Sequence, residues 1–100
     1  MDIKTTVSGN KATIALAGKL TVQSSPDLHA ATKDLSNSVC DLDIDLAGVS
    51  YIASAGLRVL VAADKFAVRR GGLMRLLHPR DEIWEVMEMS GLSEVFAIER

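Results

Sequence analysis

The stretch Asp41 to Val59, DLDIDLAGVSYIASAGLRV, changes its hydrophobic period from two to about 3.6 within a few residues. Any fold must therefore place a strand, a short turn and a helix there, in that order. Leu42, Ile44 and Leu46 point one way and Asp41, Asp43 and Asp45 the other, so the strand is expected to have one apolar and one wet face. After the turn, Gly56, Leu60, Ala63 and Ala67 recur at three- and four-residue steps and form one side of a helix. Ser54 sits at the junction. Its hydroxyl could cap the helix by accepting an orphan backbone N–H, or carry a phosphate against the positive end of the helix dipole. Both readings need the same geometry, and the flanking Ala53, Ala55 and Gly56 leave the hydroxyl open to a partner or a kinase.

The rest of the chain supplies partners for this unit. Ile3, Thr5 and Val7 alternate with polar residues, Ser8-Gly9-Asn10 offers a turn, and Ala12, Ile14 and Leu16 resume the alternation, which predicts a hairpin. Gly18 is expected to end the second strand. Ser24-Ser25-Pro26-Asp27 predicts a helix start with serine as cap, and Leu28, Ala31 and Leu35 form its stripe before an end near Ser36 to Ser38. The helix after Ser54 should run to about Arg70 and stop at Gly71-Gly72. Leu73 to Leu77 reads as a strand, His78-Pro79 as a break, and Asp81-Glu82 as the start of a third helix facing inward with Ile83, Val86 and Met87. Ser90-Gly91 closes it, Met87 and Met89 are expected in the core, and Val95 to Ile98 reads as a last strand.

That order predicts an α/β domain spanning 1–100, with a mixed, mostly parallel sheet of about four to five strands. The opening hairpin is antiparallel, the other strands are joined by right-handed crossovers, and the helices gather on the face opposite the aspartates.

Composition removes several functional classes. The longest apolar runs fall short of the roughly 18 residues a membrane span needs, so direct membrane insertion is not expected. A single cysteine allows no internal disulfide and the first residues carry no basic-then-apolar leader, so the cytoplasm is the expected compartment. With a net charge of −2, basic residues scattered except for Arg69 and Arg70, and only four aromatics, the chain has no footprint for nucleic acid and points to a protein partner.

No catalytic or metal-binding pattern emerges. Asp41-x-Asp43-x-Asp45 begins like a calcium loop, but Leu46 and Ile52 stand where such a loop needs Gly and Glu. His29, Cys40 and His78 lack ligand spacing, and there is neither a glycine-rich phosphate loop nor a nucleophile elbow around Ser54. No cofactor is expected. Leu57, Val61 and Val68 lie beside the sheet-facing stripe, either against a neighbouring helix or as an exposed strip for a partner.

In sum of motifs, the chain resembles the STAS domain, and within it the small bacterial anti-sigma factor antagonists. The resemblance spans nearly the whole chain and rests on Leu16-Ala17-Gly18-Lys19-Leu20, on Asp45-Leu46-x-x-Val49 leading to Ser54-x-Gly56-Leu57, and on Met89-Ser90-Gly91-Leu92. It implies a non-enzymatic switch: Ser54 would be phosphorylated by a partner that is both serine kinase and anti-sigma factor. The unmodified protein would capture that partner and free a sigma factor, with a phosphatase resetting the switch. The partner surface it implies comprises Leu20, Thr21, Val22, Gln23 and Ser24 together with Ala53, Ser54, Ala55, Gly56, Leu57 and Arg58. The chain departs from the family's usual pattern at Ala53, commonly Asp, at Thr21, commonly acidic, and at Ala55, often Ser. A second expectation compatible with Ala53 is a constitutive cytoplasmic STAS subunit of a membrane transport complex, with Ser54 only a helix cap.

Overall fold

In the computed structural model, which describes residues 1–100, the chain begins with an antiparallel hairpin: β1 (Asp2–Ser8) and β2 (Lys11–Leu20) pair from Asp2 opposite Ala17 to Ser8 opposite Lys11. Gly9 opens the two-residue turn at φ +61°, the left-handed region a primed hairpin turn requires. There follow α1 (Ser25–Lys33), β3 (Asp41–Ile52), α2 (Ser54–Arg69), β4 (Met74–Leu77), α3 (Asp81–Met89), a single 3₁₀ turn (Leu92–Glu94) and β5 (Ala97–Glu99). The sheet order is β1-β2-β3-β4-β5, with every pair after the hairpin parallel. Each crossover carries one helix, and the architecture is the expected one, with five strands.

Inward positions from β2, β3 and β4 meet the helices in one continuous core. Ile14, Leu42, Ile44, Leu46 and Leu76 from the strands pack with Leu28, Leu60, Ile83 and Met87 from the helices, all at most 1% exposed. The buried residues of α2 are Gly56, Leu60, Ala63 and Ala67, the stripe read from the sequence. Helix α2 ends in a Schellman motif: Gly72 N–H donates to Ala67 O and Gly71 N–H to Val68 O, with Gly71 left-handed at φ +79°. Gly72 is also fixed by packing, because a Cβ there would lie 1.9 Å from Cys40 O.

Several expectations need correction. Asp43 is not on a wet face: it is buried between Lys11 (2.6 Å) and Arg75 (2.8 Å) on the neighbouring strands, and Arg75 also reaches Glu99 at 3.0 Å. The open face of the sheet is thus closed locally by its own cations. Gly18 does not end β2, which continues through it with φ +110°. Helix α1 stops at Lys33, and its buried face uses Ser25, Leu28 and Thr32, with Ala31 half-buried; Thr32 satisfies its hydroxyl on Leu28 O at 3.0 Å. Met89 is 88% exposed, since it lies two residues, about 200° around the helix, from the buried Met87 and so faces away from the sheet. The strip beside the α2 stripe divides: Leu57 and Val61 pack against the core and Val68 is exposed.

Candidate functional site

Two irregularities in the β2–β3 pairing shape the end of the sheet that carries Ser54. The register advances by an extra residue in β3 between the pairs Ala15–Asp45 and Ala17–Gly48, and again between Gly18–Val49 and Lys19–Tyr51. Each extra residue flips the alternation, so Val49 and Ile52 face inward while Ser50 and Tyr51 turn out. Tyr51 is 52% exposed just before the turn into α2.

The turn is Ala53 alone. Its N–H donates to Leu20 O at 2.9 Å, which ties the start of α2 to the end of β2, and its carbonyl accepts the first helical bond from Leu57 N–H at 3.1 Å. Ala53 is therefore the N-cap, in extended conformation at φ −95° and ψ 169°, and no side chain caps the helix. Ser54 is the first helical residue. Its expected capping role is excluded by this one-residue offset: a cap side chain must precede the free amides, and Ser54 carries one of them. The hydroxyl is exposed and engaged in no intramolecular hydrogen bond, and the first turn of α2 holds no acidic residue to occupy the positive helix end.

Beside it runs the segment joining β2 to α1, stiffened by its own hydrogen bonds. Ser24 Oγ donates to Lys19 O at 2.7 Å and accepts from Thr21 N–H at 2.8 Å, while Ser25 Oγ donates to Thr21 O at 2.5 Å. Thr21 Oγ1 accepts from Gln23 N–H at 3.3 Å. These bonds spend the Ser24 hydroxyl on the loop, so Ser24 is the positional N-cap of α1 without a side-chain cap bond, contrary to expectation. They hold Val22, 66% exposed, and Gln23 outward.

The residues read from the sequence thus fall into three groups. Val22, Gln23, Ser54 and Arg58 are exposed, and Thr21, Ala53, Ala55 and Leu57 are half-buried around them. Leu20, Ser24 and Gly56 are buried and form the platform beneath, which corrects their expected place on the contact surface. Gly56 is required there: a Cβ would meet Leu20 Cγ at 2.7 Å and Ile52 Cγ1 at 3.0 Å. Tyr51 was not foreseen, because the bulges that expose it leave no local sequence signal. His29, Cys40 and His78 lie on separate elements, and no group of three or more His, Cys, Asp or Glu side chains comes together. No helix is long and apolar enough to cross a membrane.

The family model described as "Mlab, STAS domain" matches residues 3–98, the whole of this five-stranded sheet but for its first residue and its last, with the helices between. The chain belongs to the STAS domain family. It is 31% identical over 89 residues to the anti-sigma-B factor antagonist of Bacillus subtilis (strain 168), covering 89% of this chain and 82% of that protein. The STAS fold itself superposes on the anti-sigma factor antagonist SpoIIAA in its unphosphorylated form with a TM-score of 0.83 at 18% identity, over 99% of this chain and 89% of that one. A sulfate transporter family protein from Wolinella succinogenes is also similar, with a TM-score of 0.79 at 14% identity over 92% and 75% of the two chains. Proteins described as an anti-sigma factor antagonist and as a sulfate transporter family member thus share this fold.

Proposed function

We propose that this STAS domain is an anti-sigma factor antagonist, a protein-binding switch controlled by phosphorylation of Ser54. The observation that carries the reading is the exposed Ser54 hydroxyl, unbonded at the first position of a 16-residue helix that has no acid in its first turn. A phosphate there gains from the helix dipole and the free first-turn amides, and Arg58, one turn on, is within reach as a charge partner. The unmodified surface of Val22, Tyr51, Ser54 and Leu57 captures an anti-sigma factor that is also a serine kinase, which frees the sigma factor. About two added negative charges in that contact oppose binding by a few kcal/mol, enough to release the partner. A phosphatase resets the switch, and the cycle runs in the cytoplasm.

Incubation with the cognate kinase should place phosphate on Ser54 alone, and phosphate elsewhere would refute the assignment. Ala53, in place of the carboxylate common among antagonists, favours a second reading: a constitutive subunit of a membrane transport complex in which Ser54 stays unmodified. A pull-down separates the two, since a kinase-like anti-sigma factor supports the switch and a membrane ATPase complex the subunit.

A further inference from the structure

Away from Ser54, α1 and α2 leave between them an open groove of about 480 Å³, within the range of binding sites. Its rim is cationic, with Lys33 on the α1 side, next to His29, and Arg58, Lys65 and Arg69 on the α2 side. Its apolar floor includes the half-buried Val59 and Phe66 and the buried Ala63, with Ala62 exposed beside them. No acidic side chain lines it. The four ion pairs of the molecule engage Lys11, Arg75 and Arg100, so Lys33, Arg58, Lys65 and Arg69 are all without a carboxylate partner. Four of the eleven Lys and Arg residues thus share one concave surface in a chain whose net charge is −2. Low-dielectric walls focus the field of such a cluster outward.

The spacing of the charges narrows the class of ligand. Arg58 and Arg69 are separated along α2 by about 16 Å, three helical turns, too far for one carboxylate or phosphate to meet both. The occupant must carry several negative charges along its length and an apolar side to cover the floor. A flat membrane surface cannot reach a recessed floor, and a nucleic acid backbone has no apolar side to place on it. We propose that this groove binds an acidic, amphipathic segment of a protein partner, with carboxylates on Lys33, Arg58, Lys65 and Arg69 and apolar side chains on Val59, Ala62 and Phe66. Arg58 joins the groove to the Ser54 surface, yet the groove's chemistry requires neither phosphorylation nor the kinase.

The test uses the full chain and a synthetic Leu/Glu peptide of about twelve residues, long enough for three helical turns. Fluorescence anisotropy measures affinity and amide chemical shifts map the contact. The expected result is shifts confined to α1 and α2, and loss of affinity with added salt. Lys65→Glu should weaken binding by about tenfold or more, whereas Lys4→Glu, the same charge change on the exposed face of β1, should weaken it less than about twofold. Equal losses in the two variants, shifts outside the groove, or equal affinity for a Leu/Gln peptide would overturn the proposal. Saturable binding of phosphatidylglycerol vesicles or of an oligonucleotide at this face, without peptide binding, would overturn it as well. Peptide binding combined with normal partner capture by Ser54→Asp would refute the switch and leave the groove standing.

Discussion

Ser54 stands one residue inside α2, and this offset sets what its substitution does. Because Ala53 occupies the N-cap and the Ser54 hydroxyl is unbonded, Ser54→Ala should leave the urea midpoint essentially unchanged, where loss of a true cap would cost about 1 kcal/mol. It should also abolish phosphorylation while partner capture persists. Ser54→Asp should fold normally and bind the anti-sigma factor at least about tenfold more weakly, a difference of about 1.4 kcal/mol, from charge alone. Equal affinity of Ser54→Asp and native protein, by titration calorimetry, would remove Ser54 from the switch. The neighbouring residue carries a complementary expectation. Ala53 already has the extended backbone of an N-cap but no side chain to serve as one. Ala53→Asp should therefore stabilise the domain by about 1 kcal/mol by accepting a first-turn amide. An unchanged melting temperature would show that the new carboxylate turns to solvent instead.

At the scale of elements, α2 is the piece that joins the core to the site. Its small stripe lets the helix approach the sheet closely, with Ala63 at 2% and Ala67 at 0% exposure. Ala63→Leu should destabilise by roughly 1–3 kcal/mol through overpacking, read as a lower denaturation midpoint at unchanged slope. At the other end of the helix, Gly72→Ala should cost at least as much. The added carbon meets the Cys40 carbonyl, backbone that can move only with the start of β3, so a native-like midpoint would mean that this junction is plastic. The hairpin and the strand–helix crossovers were legible from periodicity alone, because in each case burial selects one face and the face repeats. Element ends were less legible. Gly18 reads as a terminator, yet β2 passes through it because β3 supplies pairing partners on that side, and α1 ends at Lys33 although Leu35 beyond it is still buried.

Across the whole molecule, one carboxylate links four strands of the open face. Asp43 on β3 holds Lys11 of β2 and Arg75 of β4, and Arg75 in turn holds Glu99 of β5. Burial alone would raise the Asp43 pKa, but the guanidinium of Arg75 and the ammonium of Lys11 outweigh it and keep the carboxyl below its ordinary value. A carboxylate lowered in the folded state stabilises above its unfolded pKa, and that contribution is lost as the pH falls from about 4 through the lower folded value. Asp43→Asn should thus cost about 1–2 kcal/mol at pH 7, and the gap from the native protein should close in acid. Urea midpoints at both pH values check this, and a gap that does not shrink would remove the charge from the account. Taken alone, the sequence determined the order of elements, the parallel crossovers, the α2 stripe and the place of Ser54 at a strand–helix junction, because each follows from local periodicity and turn chemistry. Only the tertiary structure decided that Asp43 is buried, that Ser54 is the first helical residue and not the cap, that Leu20 and Gly56 support the surface from beneath, and that Tyr51 faces out. These outcomes depend on which strand lies alongside and where its register slips, and a contact between residues thirty positions apart leaves no trace in the alternation of either segment.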